Sequence, residues 1–330
     1  MKRKNNKITI TLCVFGAGLA LFIVLASCTR CSLGEAGESE EVTLMSYNVE
    51  NLFDAADNGS EYREFDPGVS EWTADLYYMR MFNLAEVVAA AVDGGPDVLV
   101  LQEIENAAVV ETLEVEILKR YRYRYTAVTE TPGSAVQLAV LSRYPIIRRR
   151  SHGISLAGAD YRDLLEVTLE VAGRELILFN NHWKSKSGGA EETEPARIMA
   201  AEAVAGRIKE ITASHPGADI VVLGDLNENA DETVRVGGAY PTALNPPAAA
   251  ESVPGLIISG DPSAVAAGEA GHEGKAPRPV LYSPWLDPGR PAEGAAGSYY
   301  YDGTWETIDH VLVSAGLFDD AGFSYGNFRP

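Results

Sequence analysis

Four short polar clusters and one acid–histidine pair carry most of the residues in this sequence that could do chemistry. The clusters are SYNVEN (46–51), LQEIEN (101–106), FNNHWKS (179–185) and GDLNEN (224–229), and the pair is Asp309–His310. Each cluster ends an apolar run of strand composition, so its polar side chains should gather at one rim of a sheet. Active sites commonly form at such a rim, where loops converge.

Each cluster taken alone also has a structural interpretation. Asn48 could cap a turn, and His182 could be a satisfied structural histidine. The occurrence of all four clusters in one chain is much harder to attribute to chance. Spacing adds to the case, because Asn48 and Glu50 are two residues apart, as are Asp225 and Asn227. Residues at this spacing can project from the same face of a strand.

Hydrophobic patterning predicts the elements that must position these clusters. Strands are predicted over 41–49, 97–104, Tyr125–Thr129, Gln137–Ser142, Leu164–Val171, Glu175–Asn180, 218–227 and 307–314, with a hairpin turn at Gly173. Helices are predicted over Met79–Val92, Ala107–Arg120 and Pro195–Ile211. Many strands with few helices between them indicate a two-layered sheet core with helices outside it.

Composition places the chain among ordinary globular proteins. It has 330 residues, 46% of them hydrophobic and 22% charged, with a net charge of −20. A protein this acidic has no general attraction for polyanions, so nucleic-acid binding would need a local basic groove or a bound metal. The acidity suits divalent cations, although solubility alone could explain it. The Gly-, Pro- and Ala-rich stretch 236–297 is predicted to be a long excursion with little regular structure.

The first 27 residues are predicted to lie outside the fold. A basic MKRKNNK segment precedes a long apolar run, which is typical of a secretory signal. Residues 25–28 (LASC) resemble a bacterial lipobox, in which the peptide is cut before the cysteine, here Cys28, and the cysteine carries lipid. The alternative is an uncleaved transmembrane anchor. Residues 28–41 then form a polar tether, and either reading places the domain 42–330 in the cell envelope, outside the cytoplasmic membrane.

The three cysteines support this division of the chain. Cys13, Cys28 and Cys31 all precede the domain, and no cysteine follows. The domain therefore has no disulfide, no thiolate metal site and no cysteine nucleophile.

The order of SYNVEN, LQEIEN, NNHWKS, GDLNEN and TIDHVLVS resembles the endonuclease/exonuclease/phosphatase superfamily, typified by pancreatic deoxyribonuclease and the abasic-site endonucleases. The resemblance runs from about residue 42 to the C-terminus and looks closest to bacterial secreted members. It implies an α/β fold, a four-layer sandwich of two mostly antiparallel sheets flanked by helices. It also implies metal-dependent hydrolysis of phosphoric esters, by a nuclease, phosphodiesterase or phosphatase, and leaves the substrate open.

Metal binding is assigned first to Glu103. Phosphoric ester hydrolysis requires developing negative charge to be neutralised and a water to be aligned for attack. A carboxylate at a strand end is the hard oxygen donor that Mg²⁺ prefers, and Mn²⁺ or Ca²⁺ would also fit. The resemblance implies that Asn48 assists metal and phosphate binding. Glu50 stands where many relatives have an acid, so it is included among the ligands.

The catalytic and substrate-binding assignments also follow from the resemblance. It implies that Asp225 positions or deprotonates the attacking water and that Asn227 holds this water or the phosphate. His182 matches a histidine that binds phosphoryl oxygens or donates a proton, and an imidazole suits either task. Asn181 is assigned to substrate binding. Lys184 could hold a substrate phosphate or belong to a solvated turn. Arg162 and Arg197 could contact phosphate or form structural ion pairs, and the second interpretation is preferred.

The late pair Asp309–His310 has two interpretations. TIDHVLVS resembles the family strand whose Asp supports a catalytic histidine, and a Ser-Asp-His motif, which normally follows, does not occur in the sequence. On this reading the chain stops one strand short, and His310 is a framework residue that points away from Asp309. The alternative is that Asp309 and His310 are themselves catalytic. Loss of a catalytic imidazole typically costs a factor of roughly 10²–10⁴ in rate.

Two functions therefore compete. The first is a Mg²⁺-dependent phosphoesterase that acts on a phosphate ester, which could be nucleic acid, as a monomer attached to the membrane through a lipid at Cys28. The second is a non-catalytic surface binding protein that keeps the fold without the complete catalytic set.

Overall fold

The computed structural model describes residues 6–12, 41–246, 255–267, 278–290, 295–319 and 321–330. The described strands are β1 (Asn6–Leu12), β2 (Val42–Leu52), β3 (Val98–Ile104), β4 (Tyr125–Val128), β5 (Gln137–Ser142), β6 (Ile146–Leu156), β7 (Ala159–Val171), β8 (Arg174–His182), β9 (Ile220–Asp225), β10 (Ile257–Ser259), β11 (Val280–Tyr282), β12 (Tyr299–Tyr301), β13 (Thr304–Glu306), β14 (Asp309–Val313) and β15 (Phe323–Arg329). The described α-helices are α1 (Ala74–Ala91), α2 (Ala107–Thr112), α3 (Ala190–Ser214), α4 (Glu232–Arg235) and α5 (Pro262–Ala266).

Two mixed sheets form the centre of the molecule. One has the strand order β15-β1-β2-β3-β5-β4, and the other has the order β10-β11-β14-β9-β8-β7-β6. The family resemblance implies mostly antiparallel sheets, but β2 pairs with β3 and β8 pairs with β9 in parallel. Each of these parallel pairs is joined by a long helix, α1 or α3, because a crossover is what brings a chain back to start a parallel strand.

Three hydrophobic clusters arrange the molecule in four layers. Val100 of β3 and Leu178 of β8 belong to a cluster shared by the facing sides of the two sheets. The outer side of the first sheet packs against α1 and α2, and the outer side of the second packs against α3. The order is therefore helix, sheet, sheet, helix, which is the α/β sandwich that the sequence predicts.

Strand register gathers the polar clusters at one rim of this sandwich. In the first sheet Asn48 is aligned with Gln102, so Glu103 follows at the same edge. In the second sheet His182 is aligned with Asp225. The antiparallel strand β14 then places Asp309 opposite Asp225. Parallel strands end at the same edge of a sheet, and this geometry confirms that distant segments converge at one rim.

The predicted helices are correct in kind but not in their bounds. Helix α1 begins at Ala74, five residues before the predicted start, because the Thr73 hydroxyl accepts a hydrogen bond from the amide of Leu76 at 3.4 Å. Such a cap is a recognised start signal for a helix. The helix predicted from Ala107 is α-helical only to Thr112 and then continues as a π-helix and a short 3₁₀ turn.

Residues 6–12 form a strand, whereas the signal-sequence prediction places them outside the fold. Strand β1 is parallel to β2 on one side and to β15 on the other. The physical reason is in the sequence NKITITL, where β-branched Ile and Thr alternate with a period of two. Residues 13–40, which contain the predicted cleavage point and tether, lie outside the described residues. Among the described residues, no helix has the length and apolar character that a membrane crossing requires.

The stretch 236–297 is partly regular where the structure describes it. Strands β10 and β11 extend the edge of the second sheet beyond β14. Helix α5 lies between them in sequence and buries Val265 in the core. The rest of the described stretch has turns and short irregular segments, and residues 247–254, 268–277 and 291–294 lie outside the described residues.

Candidate active site

A cleft of about 520 Å³ opens at the rim where the polar clusters meet. Both sheets contribute to it, together with the loops that follow β2, β8 and β9. The residues that line it are Tyr47, Asn48, Glu50, Asn51, Tyr62, Glu103, Arg162, His182, Ser185, Asp225, Asn227, Tyr299, Ile308 and Asp309. The cleft therefore contains at least one member of each sequence cluster.

Asn48, Glu103, His182 and Asp225 form the centre of the cleft. The Asn48 side-chain amide donates to Glu103 Oε1 and to Asp225 Oδ2, both at 3.0 Å. His182 Nε2 lies 3.3 Å from Glu103 Oε1 and 3.7 Å from Asp225 Oδ2. Glu103 comes from one sheet while His182 and Asp225 come from the other, so these contacts connect the two halves of the sandwich.

The backbone is strained at four positions around this centre. Glu50, Asn51, Glu103 and Asn227 have φ angles of 52°, 67°, 64° and 51°. Left-handed backbone costs a residue other than glycine on the order of 1–3 kcal/mol, and it persists where the surrounding structure enforces it. The β2–β3 and β3–β5 ladders both shift register here, and such irregularities redirect side chains. Backbone strain therefore accompanies the strand ends that turn acidic groups into the cleft.

The turn after β9 fixes Asp225 and Asn227. The amide of Asn227 donates to Asp225 Oδ1 at 2.8 Å, and the Asn227 side chain donates to the carbonyl of Trp183 at 3.2 Å. The amide of Trp183 in turn donates to the carbonyl of Asp225 at 2.9 Å. Gly224 is required before this turn, because its φ is +121° and a Cβ atom would lie 2.2 Å from the Asn181 carbonyl oxygen.

The acidic groups in the cleft raise one another's pKa. Burial raises the pKa of Asp225 well above its ordinary value, and the neighbouring carboxylates of Asp309 and Glu103 raise it further. Burial likewise raises the pKa of Asp309 to about 6, with Glu103 and Glu50 adding to the effect. The pKa of Glu50 is also raised, first by burial and then by Glu103. Proton affinity at this rim is therefore increased by burial and by crowding of like charge.

His182 is an uncharged imidazole in this environment. Its side chain is almost fully buried, and burial together with the Arg162 guanidinium lowers its pKa well below the ordinary value. Its Nδ1 has no hydrogen-bond partner within the described part of the chain. A buried polar atom without a partner is unusual, and it leaves this ring able to exchange partners when a ligand enters.

Asp309 and His310 point in opposite directions. Asp309 lines the cleft, and its amide donates to the hydroxyl of buried Ser298 at 3.0 Å. His310 is fully buried outside the cleft, where its Nε2 lies 2.8 Å from the carbonyl oxygen of Glu228. The placement of His310 contradicts its assignment as a catalytic residue and agrees with the framework interpretation. Strand alternation explains the difference, because successive residues of β14 face opposite sides.

Asn181 and Lys184 also differ from their assignments to substrate binding. Asn181 is fully buried, its amide donates to the carbonyls of Phe179 and Leu223, and its oxygen accepts from the Trp183 indole. Lys184 Nζ donates to carbonyls of its own loop and lines a neighbouring hollow rather than the cleft. Asn181 alternates with His182 along β8, so it must face away from the cleft.

Other residues of the cleft were not identified from the motifs. Arg162, which the sequence analysis assigns to an ion pair in preference to a phosphate contact, donates to the carbonyl of Trp183 at 3.1 Å and lines the cleft. Tyr47, Tyr62 and Tyr299 add three aromatic rings to the cleft wall. Strand alternation would not have selected Tyr47, because it adjoins Asn48 on β2. Nothing local decides between the two interpretations of Arg162 or marks Tyr299, because only the tertiary fold brings them to this rim.

The donor atoms at the centre fit a divalent cation. The ligand atoms of Glu103, His182 and Asp225 all lie within 4.8 Å of one another. Carboxylate oxygens are the donors that Mg²⁺, Mn²⁺ and Ca²⁺ prefer, and Mg²⁺ usually keeps several waters beside one or two carboxylates. The mutual elevation of pKa in the cleft is a second reason, since a cation would relieve the crowding of negative charge.

The sequence matches a family model described as the endonuclease/exonuclease/phosphatase family over residues 43–238. The chain belongs to this family. The matched region is more than half of the chain and contains Asn48, Glu103, His182 and Asp225.

The individual relatives and solved structures have low sequence identity to this chain. A 5′-tyrosyl-DNA phosphodiesterase of Caenorhabditis elegans is 25% identical over 187 residues, which cover 53% of this chain and 47% of the relative. The chain thus spans about half the length of the curated relative that it matches. A crystal structure of truncated Caenorhabditis elegans TDP2 is 17% identical, with a TM-score of 0.49 and 82% of both chains covered. Sphingomyelinase C of Streptomyces griseocarneus is 18% identical, with a TM-score of 0.44 and 83% of both chains covered.

Proposed function

We propose that this protein is a metal-dependent hydrolase of phosphoric esters and that the cleft is its active site. The observation that carries the proposal is the convergence of Asn48, Glu103, His182 and Asp225 from two sheets and distant parts of the chain. Asn48 bonds both carboxylates, and His182 Nε2 lies 3.3 Å from Glu103 and 3.7 Å from Asp225. A structural role alone would not require the four carboxyl groups of the cleft, those of Glu50, Glu103, Asp225 and Asp309, to crowd together. Membership of the endonuclease/exonuclease/phosphatase family agrees with this chemistry.

Substrate phosphate oxygens would be held by three donors. Arg162 provides a guanidinium at the wall of the cleft, and charge-assisted hydrogen bonds from guanidinium to phosphate are strong and directional. The neutral imidazole of His182 and the side-chain amide of Asn227 face the same space. These groups are fixed before substrate arrives, which is the arrangement that stabilises charge developing in a transition state.

Asp225 would accept the proton of the attacking water. A general base works best when its pKa is near the operating pH, and the pKa of Asp225 is well above that of an ordinary carboxyl group. Asn48 and the amide of Asn227 hold one oxygen each of this carboxylate. Asp309, opposite Asp225 in the ladder, would maintain the proton affinity of the pair through its negative charge.

Glu103 would be the principal ligand of a divalent cation, with Glu50 beside it. When bound, such an ion neutralises charge on the phosphate oxygens. The Asn48 oxygen accepts from the amide of Glu50 at 2.9 Å, while its nitrogen faces Glu103 and Asp225. Asn48 would therefore act chiefly by orienting these carboxylates, which fixes the Glu103 oxygens for the ion.

The deciding experiment is hydrolysis of bis-p-nitrophenyl phosphate by the full chain with Mg²⁺ and with EDTA. Glu103→Gln should lower kcat at least about a hundredfold, because it removes the principal ligand and its charge. Glu105→Gln is the matched control. Its carboxylate lies only two residues away but bonds the amide of Asp54 and the side chain of Asn58, outside the cleft. This variant should keep its activity.

The results separate the two functions that the sequence leaves open. Metal-dependent turnover that is lost only in Glu103→Gln supports the enzyme. A folded wild-type chain that binds Mg²⁺ but hydrolyses neither this diester nor p-nitrophenyl phosphate would instead favour a non-catalytic binding protein. Equal loss in Glu103→Gln and Glu105→Gln would show that the loop, and not the metal ligand, determines activity.

We also propose that the chain is attached to the cell envelope through a lipid on Cys28, on the grounds of the LASC sequence. Cleavage before Cys28 would remove β1, so the two features are alternatives for residues 6–12 and the experiment must separate them. Labelling with radioactive palmitate in a bacterial host should be lost in Cys28→Ser and kept in Cys31→Ser. An unlabelled wild-type chain that retains its N-terminal residues would contradict the anchor.

A further inference from the structure

An aromatic hairpin borders the cleft and belongs to neither main sheet. Within the described part of the chain, strands β12 and β13 pair with each other and with no other strand, and the turn between them is Asp302–Gly303. Both turn residues have positive φ angles, 46° and 79°, as the tight turn of a two-residue hairpin requires. The hairpin lies outside the region that matches the family model.

The aromatic side chains of this hairpin are more exposed than a structural role would explain. Tyr300, Tyr301 and Trp305 are 51%, 64% and 42% exposed. Tyr299 and Tyr301 stack on one face of the ribbon, with ring centroids 6.2 Å apart and planes 12° from parallel. Tyr300 and Trp305 pair on the other face at 5.1 Å. Contiguous exposed apolar surface of this kind marks a binding site more often than chance.

The base of the hairpin is bonded to the catalytic rim. Ser298 precedes β12, its amide donates to the Glu306 carbonyl, and its hydroxyl accepts from the amide of Asp309. The amide of Thr307 donates to the side chain of Asn229, in the loop that follows Asp225. The base of the ribbon is thus hydrogen-bonded beside the cleft, while its outer rings are in solvent.

One face of the ribbon continues the wall of the cleft. Tyr299 lines the cleft together with Glu50 and Asp309, and Tyr301 extends the same face outward. We propose that Tyr299 and Tyr301 form a stacking platform for a planar aromatic group, a nucleobase or an aryl ring, attached to the phosphate in the cleft. The proposal rests on the proposed function, which places that phosphate beside Glu103 and Asp225.

Charge favours an aromatic group over a lipid surface as the partner of this hairpin. Residues 295–309 contain three acidic residues and no Lys or Arg. Segments that bind anionic membranes carry basic residues, and the acidic cleft next to the hairpin would repel such a surface. Stacking on tyrosine needs no charge and is worth about 1–3 kcal/mol per ring.

The test compares two ligands that differ only by a ring. Phenylphosphonate and methylphosphonate cannot be hydrolysed at phosphorus–carbon bonds, so their dissociation constants report binding alone. The full chain with Mg²⁺ should bind phenylphosphonate about tenfold more tightly, which corresponds to about 1.4 kcal/mol. Tyr301→Ala should reduce this preference to near one without changing the affinity for methylphosphonate. Tyr300→Ala, the next residue on the opposite face, is the matched control and should keep the preference.

Several results would overturn the platform. They are equal affinity of the wild-type chain for the two ligands, or equal effects of Tyr301→Ala and Tyr300→Ala. Sedimentation of the wild-type chain with phosphatidylcholine vesicles, lost in Trp305→Ala, would assign the hairpin to a lipid surface instead. A nucleoside phosphonate that carries thymine distinguishes a nucleobase from a simple aryl ring: tighter binding than phenylphosphonate, dependent on Tyr301, indicates a nucleobase.

The platform and the hydrolase can fail separately. A Tyr301-dependent preference for the ring in a chain without turnover would retain the platform and refute hydrolysis. Turnover of bis-p-nitrophenyl phosphate with no preference for the ring in binding would do the reverse.

Discussion

Two groups of buried acidic side chains lie on either side of the loop after β9. They differ in whether the chain supplies a cation that pairs with them. The cleft group contains Asp225, which shares its space with the carboxylates of Glu103 and Asp309. The second group contains Glu228, only three residues later, together with Glu194 and the guanidinium of Arg197. One short segment therefore supplies a carboxylate to each group.

The Arg197 group contains its own cation, and its charged side chains accept or donate several hydrogen bonds. Arg197 is fully buried and donates to Glu194 at 3.0 Å, to the hydroxyl of Thr193 at 2.9 Å and to the carbonyl of Lys184 at 3.0 Å. Glu194 and Glu228 also accept the amides of Ala243 and Leu244 at 2.7 and 2.8 Å. This group joins helix α3 to two loops, and its role is structural.

The cleft group has no such cation. Among the described residues, no Lys or Arg lies in an ion pair with Glu103, Asp225 or Asp309, and Arg162 is bonded to a backbone carbonyl. Buried charges are ordinarily paired, so an unpaired acidic group at a cleft indicates a partner that the chain does not supply. Burial of acidic side chains alone therefore does not distinguish a structural cluster from a functional one. The presence of a paired cation from the chain itself does distinguish them.

The largest expected effect is on catalysis, from His182→Gln. Loss of the imidazole that faces Glu103 and Asp225 should lower kcat by a factor of roughly 10²–10⁴, with little change in melting temperature. Steady-state hydrolysis of bis-p-nitrophenyl phosphate measures it. His152→Gln is the control, because that histidine bonds Glu166 at 2.7 Å outside the cleft. Similar losses in both variants would contradict a special role for His182.

The largest expected effect on stability comes from Arg197→Met. This change leaves Glu194 and Glu228 buried without their cation, which typically costs about 3–5 kcal/mol. Urea unfolding at pH 7.5 measures the free energy of unfolding. Arg235→Met removes a partly exposed ion pair with Asp231 and should cost less than about 1 kcal/mol. Comparable losses in the two variants would remove the distinction between buried and exposed ion pairs in this protein.

The sequence predicts the rim of the sandwich better than the details of the site. Apolar runs that end in Asn48, Glu103, His182 and Asp225 are local signals, and sheet geometry is enough to bring them together. Alternation along a strand also predicts that His310 faces away from Asp309. The same rule would have excluded Asn181, which adjoins His182 on β8, so this error was avoidable.

Other features depend on contacts that local patterns do not show. Arg162 reaches the cleft from near the start of β7, and Tyr299 reaches it from a hairpin for which the sequence analysis predicts no element. The strain at Glu50 and Glu103 arises from register shifts between strands, which depend on both partners. Tertiary pairing decides these features, so a reading of one segment at a time misses them.

An intermediate effect is expected from His310, which bonds the Glu228 backbone. Burial lowers the pKa of His310 to about 4, although its hydrogen bond to the Glu228 carbonyl raises it. The unfolded chain binds this proton below about pH 6.5 while the folded chain does not. The free energy of unfolding therefore has its full value above pH 6.5. It decreases as pH falls towards 4, by on the order of 3 kcal/mol.

Urea unfolding at pH 7.5 and 4.5 tests this expectation. The free energy of unfolding should depend less on pH in His310→Gln, whose amide can still donate to the Glu228 carbonyl. Hydrolysis at pH 7.5 should be unchanged in the folded variant. If that folded variant were inactive, His310 would be catalytic after all and the separation of the two groups would be wrong.

The smallest effect is a gain of stability from Asp309→Asn. The folded pKa of Asp309, about 6, lies above its ordinary value, so the ionised carboxylate opposes folding and this cost appears as pH rises through 6. A neutral Asn should raise the free energy of unfolding at pH 8 by about 1–2 kcal/mol in EDTA, while hydrolysis in Mg²⁺ falls. Such a trade of stability for activity is typical of catalytic acids.

Asp219→Asn provides the contrast for this last prediction. Asp219 precedes β9 at the opposite rim from Asp225, and burial raises its pKa to about 6, with the charge of Asp319 adding to the effect. Its Oδ2 accepts the amide of Phe323 at 3.0 Å, which an Asn oxygen can also do. The variant should gain similar stability at pH 8 and keep full activity. Loss of activity in Asp219→Asn as well would show that the trade of stability for activity is not specific to the acidic residues of the cleft.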